Sequence, residues 1–303
     1  MSRLIVHPGA PKTGTSTIQA FLECREDALR AQGIGLLTPR DLRRSEFMRS
    51  YRQVFAGAPG ASLATGDLKD RTGGAATTIM SEEGLCAHFL PGRGGPPSGI
   101  DHGRRSADLI ADLPFDDVRV VLTVRNQADL LRSAYLHHVK LIGERRPFAR
   151  WLREAVDPSR LSWRRPVSAF RRRFGRARLS VVPFEIVKAG GSEAYLAAVL
   201  KAMDVEIAAT GPAVSIRNRS PSGAGLAASR IVNAALGRGP SARWLNKKIV
   251  QLSPVNAGGA RRLNDPLLTE ISARYADENA ALAATWFPEH ASGFLGRESA
   301  VRS

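Results

Sequence analysis

Between Leu4 and Leu22 the hydrophobic pattern changes period abruptly. Leu4-Ile5-Val6-His7 is a short β-rich apolar run. Pro8 to Thr15 is rich in Gly, Pro and Thr, and Ile18, Phe21 and Leu22 then recur at helical spacing. That order predicts a strand, a loop and a helix. It recurs at Val118 to Val124, an apolar run followed by Gln127 to Leu141 with Leu130, Leu131, Ala134, Tyr135 and Val139 at helical intervals. Further strands are expected at Thr77 to Met80 and Leu179 to Phe184, and helices at Tyr195 to Met203, Leu226 to Leu236 and Leu267 to Trp286. Strands alternating with helices predict an α/β fold, with a mainly parallel central sheet flanked by helices and a helical C-terminal part at about 222–290. Ligands of such sheets bind at the carboxyl ends of the strands. Without an internal repeat or a linker, residues 1–303 are expected to form a single domain.

The loop after the first strand reads Gly9-Ala-Pro-Lys-Thr-Gly-Thr-Ser-Thr17. Main-chain N–H groups at a helix N-terminus converge on one point, and the helix dipole favours negative charge there. Lys12 adds a point charge. Thr13, Thr15, Ser16 and Thr17 would add hydroxyl donors. The phosphate loop of nucleotide triphosphatases places Lys after its second Gly, whereas Thr15 follows Gly14 here, which disfavours a kinase or ATPase. Arg125 ends the strand Val118 to Val124, and Ser133 lies two helical turns further on, so both can face one anionic group. Two separated anion sites suit a nucleotide phosphorylated at both its 3' and 5' ends.

The net charge of +16 favours anionic partners, and twelve Arg stand against two acids, Glu154 and Asp157, between Arg145 and Arg178. A nucleic-acid-binding face is the main alternative function, and a small-molecule kinase a lesser one. Against the first, Trp151, Trp163, Phe170 and Phe174 fall at core spacing rather than as stacking platforms. Cys24 and Cys86 form neither a disulfide framework nor a metal-ligand spacing, and no secretory signal or membrane-length apolar run is seen. A soluble cytoplasmic protein is expected.

Pro11-Lys-Thr-Gly-Thr-Ser-Thr-Ile-Gln19 and Arg125-Asn-Gln-Ala-Asp-Leu-Leu-Arg-Ser-Ala-Tyr135 resemble the 5'-phosphosulfate loop and the 3'-phosphate motif of the PAPS-dependent sulfotransferases, notably bacterial members. PAPS is 3'-phosphoadenosine-5'-phosphosulfate. The likeness extends through Ile79-Met-Ser-Glu-Glu-Gly-Leu85, Trp163, Phe174-Gly175, Val181 to Glu185, Asn218-x-Ser220 and Tyr275-x-x-x-Asn279. It implies a P-loop nucleotide-binding-like fold and transfer of a sulfuryl group from PAPS to an acceptor hydroxyl or amine, with PAP as product and no metal required. Lys12 and the main chain of Thr13, Gly14, Thr15, Ser16 and Thr17 would hold the 5'-phosphosulfate, and Arg125 and Ser133 the 3'-phosphate. Glu83 is the favoured catalytic base and Glu82 the second choice. His7, His88, His102, His137 and His138 are rivals: His7 is expected to pack beside the loop, His137 to face the core, His138 to face solvent, and His102 to sit in a flexible loop. Gly258-Gly-Ala-Arg-Arg262 is a candidate for the basic loop that closes over the nucleotide in relatives. The acceptor is expected to be an acidic glycan or a small molecule, with nucleic acid disfavoured as a partner.

Overall fold

The computed structural model describes residues 1–68, 70–86, 102–210, 222–252 and 263–296. Five strands, β1 (Arg3–His7), β2 (Ile34–Leu37), β3 (Thr77–Ser81), β4 (Asp117–Val124) and β5 (Leu179–Pro183), form one sheet in the order β2-β3-β1-β4-β5. Every pairing is parallel, with Arg3 opposite Thr77 on one side and Asp117 on the other. The fold is α/β, a parallel central sheet flanked by helices, as the strand and helix periods predict. Parallel strands are covered on both faces, which is why they read as unbroken apolar runs.

Alternate residues of each strand enter different cores. Leu4, Val6, Met80, Val120 and Leu122 point to one face, where helices Glu46–Ala56, Arg164–Phe174 and Ala276–Trp286 supply Phe47, Tyr51, Phe170 and Leu282. Ile5, Ile79, Val121 and Val182 point to the other, covered by Ile18, Phe21 and Leu22 of helix Thr15–Cys24 and by Tyr195, Leu196 and Val199 of helix Ile186–Ala202. A third cluster joins Leu131 and Tyr135 to Trp151, Leu226, Leu268 and Tyr275, and so binds the C-terminal helices to the rest.

Four differences from the expected elements stand out. Strand β2 and helices Glu46–Ala56, His102–Ala111 and Pro240–Leu252 were not expected. The helix expected over Gln127 to Leu141 ends at His137 and continues as one π turn, His138–Ile142. The helix beginning near Tyr195 starts earlier, at Ile186, with a kink at Gly191. Leu267 to Trp286 is two helices meeting at Tyr275, whose hydroxyl donates to the Pro158 carbonyl (2.6 Å) and accepts from Leu161 N–H (3.3 Å). His88, most of the Gly92 to Gly103 stretch, Asn218, Ser220 and Gly258 to Arg262 lie outside the described residues. Among the described residues no helix is long and apolar enough to cross a membrane.

The Arg145 to Arg178 helices carry their aromatics inward, with Trp151, Trp163, Phe170 and Phe174 all buried. Several of their arginines are ion-paired: Arg146 with Glu144 and Glu154, Arg150 with Glu154, Arg153 with Asp265, and Arg173 with Asp108 and Asp112.

Candidate active site at the strand tips

The carboxyl ends of β1, β3, β4 and β5 bring His7, Ser81, Val124 and Pro183 to one rim. The loop after β1 turns sharply there, with φ in the left-handed region at Gly9 (55°), Lys12 (65°) and Gly14 (84°). Gly14 has a second constraint, since a Cβ there would lie 2.7 Å from Phe184 Cε2 and 2.9 Å from Tyr195 Cε1. Gly14 caps helix Thr15–Cys24 with no side-chain cap; Thr17 N–H donates to the Gly14 carbonyl at 2.9 Å, which leaves the first-turn N–H groups of Thr15 and Ser16 without intrahelical acceptors at the loop. Main-chain donors and dipole therefore converge where an anion is expected from the sequence.

A buried hydrogen-bonded chain fixes the loop from beneath. Thr13 Oγ1 donates to the Ala10 carbonyl (2.6 Å), so its contact with Thr123 Oγ1 (2.7 Å) requires Thr123 to donate. Thr123 then accepts from His7 Nε2 (3.3 Å), and His7 Nδ1 accepts from Ser81 Oγ (2.9 Å). Burial holds His7 at a pKa of about 4, so the ring is neutral near pH 7, as this proton order requires. The Tyr195 hydroxyl donates to the Thr13 carbonyl at 2.5 Å. His7 is thus a packed residue beside the loop.

Thr13 and Thr15 correct the expectation that all four loop hydroxyls serve as anion donors. Both side chains are buried, and both bond to the Ala10 carbonyl, Thr15 at 3.4 Å. Their role is to shape the loop, and their main chain is what remains for a ligand. Ser16 is exposed and Thr17 half-buried.

Lys12 is half-buried and donates from Nζ to His137 Nδ1 at 3.1 Å. Burial lowers its pKa; Glu83 raises it, and Arg125 and Lys140 lower it further. Burial, then Lys12, His138 and Lys140, press His137 down to about 4, so it accepts as a neutral ring. His137 does not face the core as expected. His138 is half-buried rather than solvated, and its Nδ1 accepts from Trp151 Nε1 (3.2 Å). His102 opens helix His102–Ala111 instead of lying in a loop, and its ring stacks on Phe55 at 5.5 Å.

Arg125 Nη1 donates to the Lys12 carbonyl at 2.7 Å, and the guanidinium lies 4.5 Å from the Phe184 ring centroid. The Arg125 carbonyl accepts from Trp163 Nε1 at 2.6 Å. The Arg125 Nε is buried with no hydrogen-bond partner among the described residues, so part of this fork is unsatisfied there. Ser133 stands one helical turn before His137 on helix Gln127–His137, hence on the same stripe, and is half-buried. It makes no hydrogen bond to Lys12 or Arg125.

Glu83 follows β3, half-buried, with its Cγ 3.2 Å from where a Cβ on Gly9 would sit. Burial raises its pKa, as does Glu82, while Lys12, Arg43 and the Thr15 hydroxyl pull it back. Glu82 is turned inward, its Oε1 accepting from Gly84 N–H (2.8 Å). The strand tips therefore gather Lys12, Glu83, Arg125, the rival His137 and, unforeseen, Phe184 and Tyr195. Glu185, also unforeseen, is buried beside them. Its Oε1 accepts from Asn126 N–H (2.9 Å), and its Oε2 has no partner among the described residues.

A cavity of about 470 Å³ at the start of helix Gln127–His137 is bordered by Asn126, Asp129, Arg132 and Lys188, and by none of Lys12, Glu83, Arg125 or the loop residues 9–17. A larger one, about 550 Å³, is lined by Glu144, Arg145, Arg146 and Arg238 and by none of the strand-tip residues. Lys12, Glu83 and Arg125 line neither cavity; they come together at the strand tips, around the turn after β1.

No protein-family profile matches this chain, and no curated protein does. Among solved structures, a sulfotransferase from Alicyclobacillus acidocaldarius superposes over 98% of this chain and 97% of its own, at 16% identity and a TM-score of 0.46. Similarity of that degree does not bear on chemistry, which rests on the site itself.

Proposed function

We propose that the chain is a sulfotransferase that moves a sulfuryl group from PAPS to the hydroxyl or amine of an acceptor. One observation carries the reading: the Arg125 guanidinium bonds the main chain of Lys12 at 2.7 Å, so two anion anchors adjoin at neighbouring strand tips. A donor with charged groups at both its 5' and 3' ends matches that pair.

In this reading Lys12 and the N–H groups of the loop hold the 5'-phosphosulfate. They stabilise the negative charge that builds on the 5'-phosphate oxygen as its bond to sulfur breaks. Arg125 and Ser133 hold the 3'-phosphate. Glu83 takes the proton of the acceptor as its oxygen or nitrogen bonds to sulfur in line with the departing PAP. Lys12 spends one N–H on His137 and keeps two for the ligand. The strongly positive net charge supports an acidic glycan as acceptor, with a small molecule as the other class.

Calorimetric titration with PAP, paired with transfer from labelled PAPS to a panel of acceptors, tests the reading. Saturable PAP binding is expected, weakened about tenfold or more in Arg125→Ala through loss of a charge-assisted contact. Absence of PAP binding, or equal affinity in Arg125→Ala, rejects it.

A further inference from the structure

Helices Gly223–Leu236 and Pro240–Leu252 form a hairpin packed on the π turn His138–Ile142. Two asparagines fasten it. Asn233 Nδ2 donates to the carbonyls of Val139 (2.8 Å) and Glu144 (2.9 Å), and Asn246 Nδ2 to Asn233 Oδ1 (2.8 Å) and the Val139 carbonyl (3.4 Å). Residues turn about 100° apart on a helix, so Ile231 and Trp244, each two positions from an anchoring Asn, point roughly 160° away from Val139. Ile231 is 70% exposed, Trp244 60% and Leu252 84%. Apart from Met1, all exposed large apolar side chains among the described residues belong to this hairpin and its π turn: Leu141, Ile142, Ile231, Leu236, Trp244 and Leu252. Such concentration marks an interaction surface.

Its charge is equally one-sided. Residues 223–252 contain Arg230, Arg238, Arg243, Lys247 and Lys248 and no Asp or Glu. Trp244, Lys248 and Leu252 follow one another at four-residue steps along a single stripe, and Lys248 Nζ lies 5.9 Å from the Trp244 ring centroid.

We propose that this outer hairpin face docks on a bilayer surface rich in anionic phospholipid, with Ile231, Trp244 and Leu252 at the headgroup boundary and Arg243, Lys247 and Lys248 on lipid phosphates. A second copy of the chain would set two acid-free basic faces against each other. A nucleic acid would satisfy the cations but leave Ile231, Leu236 and Leu252 without apolar cover. An anionic bilayer complements both halves of the surface, and the proposal is independent of the strand-tip chemistry.

Sedimentation of the full chain with vesicles of phosphatidylcholine mixed with phosphatidylglycerol, and with phosphatidylcholine alone, tests it. Binding to the mixed vesicles only is expected, with a blue shift of tryptophan emission that Trp244→Phe abolishes. The double variant Lys247→Glu/Lys248→Glu should lose at least about tenfold in partitioning, on the order of fivefold for each cation removed. Both substitutions are on the surface, so an unchanged circular-dichroism melt and PAP affinity would accompany that loss. The proposal is overturned by absence of binding to mixed vesicles or by binding indifferent to the double variant. It is also overturned by a dimer that Trp244→Asp converts to monomer, or by DNA binding as tight as vesicle binding and lost in the same double variant.

Discussion

Lys12 Nζ and His137 Nδ1 are joined by a hydrogen bond of 3.1 Å across 125 residues of sequence. The imidazole can accept only while neutral, and its pKa of about 4 keeps it so throughout the physiological range. An ammonium held this way is aimed without being neutralised, unlike one held by a carboxylate.

Removing that ammonium tests the leaving-group role. Lys12→Ala should lower transfer from PAPS by about 100-fold or more, in the range found when one charge-stabilising donor is deleted. The fold should persist, because Thr13, Thr123 and His7 hold the loop independently of the Lys12 side chain. Single-turnover rates and a thermal melt check both parts, and full transfer in the variant would refute the loop assignment.

Glu83 must be ionised to accept a proton, and burial followed by Glu82 raises its pKa above the usual 4.5. The transfer rate should therefore climb with pH through that raised value and then level off. Glu83→Gln should cut the rate by about 100-fold or more, remove this acidic limb, and leave PAP affinity within a few-fold. A pH–rate profile of the two proteins decides it; an unaltered limb in the variant would move the base elsewhere.

Gly14→Ala combines a left-handed φ of 84° with a methyl 2.7 Å from the Phe184 ring. The expected destabilisation is about 2–3 kcal/mol from backbone strain and overpacking together. Urea titration measures it, and a loss below about 0.5 kcal/mol would show that the loop can relax in place.

Burial pushes Glu185 up to about 7, so the folded chain retains a proton there that the unfolded chain, at about 4.5, gives up. Stability from this group is complete below pH 4.5 and is lost as the pH rises through about 7. Glu185→Gln should match the parent protein in acid and exceed it above pH 7, by about 3 kcal/mol at most. Paired melts across this range check the sign. Greater stability of the parent above pH 7 would mean that Arg125 holds Glu185 ionised.

The central strands were legible because burial on both faces leaves no polar interruption: Leu4 to His7 was expected and Arg3–His7 is found. Strand β2 escaped because it is four residues long and contains Gly35, which must lack a Cβ to clear Thr72. Helix Glu46–Ala56 carries readable signals in its Ser45 cap and in Phe47, Met48, Tyr51 and Phe55 on one side. The loop and Arg125 could be picked out because each stands where a strand gives way to a helix. The Thr13–Thr123 and Lys12–His137 bonds could not, since each joins groups more than 100 residues apart.

Of the loop's three left-handed positions, two are glycines and the third is Lys12, at φ 65°. An ordinary side chain in that conformation costs about 1–2 kcal/mol. Folding alone would favour glycine at the position, so under the proposed function the lysine trades robustness for recognition. An engineer raising the melting temperature of this chain would be drawn to replace Lys12 first, at the one position that the proposed transfer could least spare.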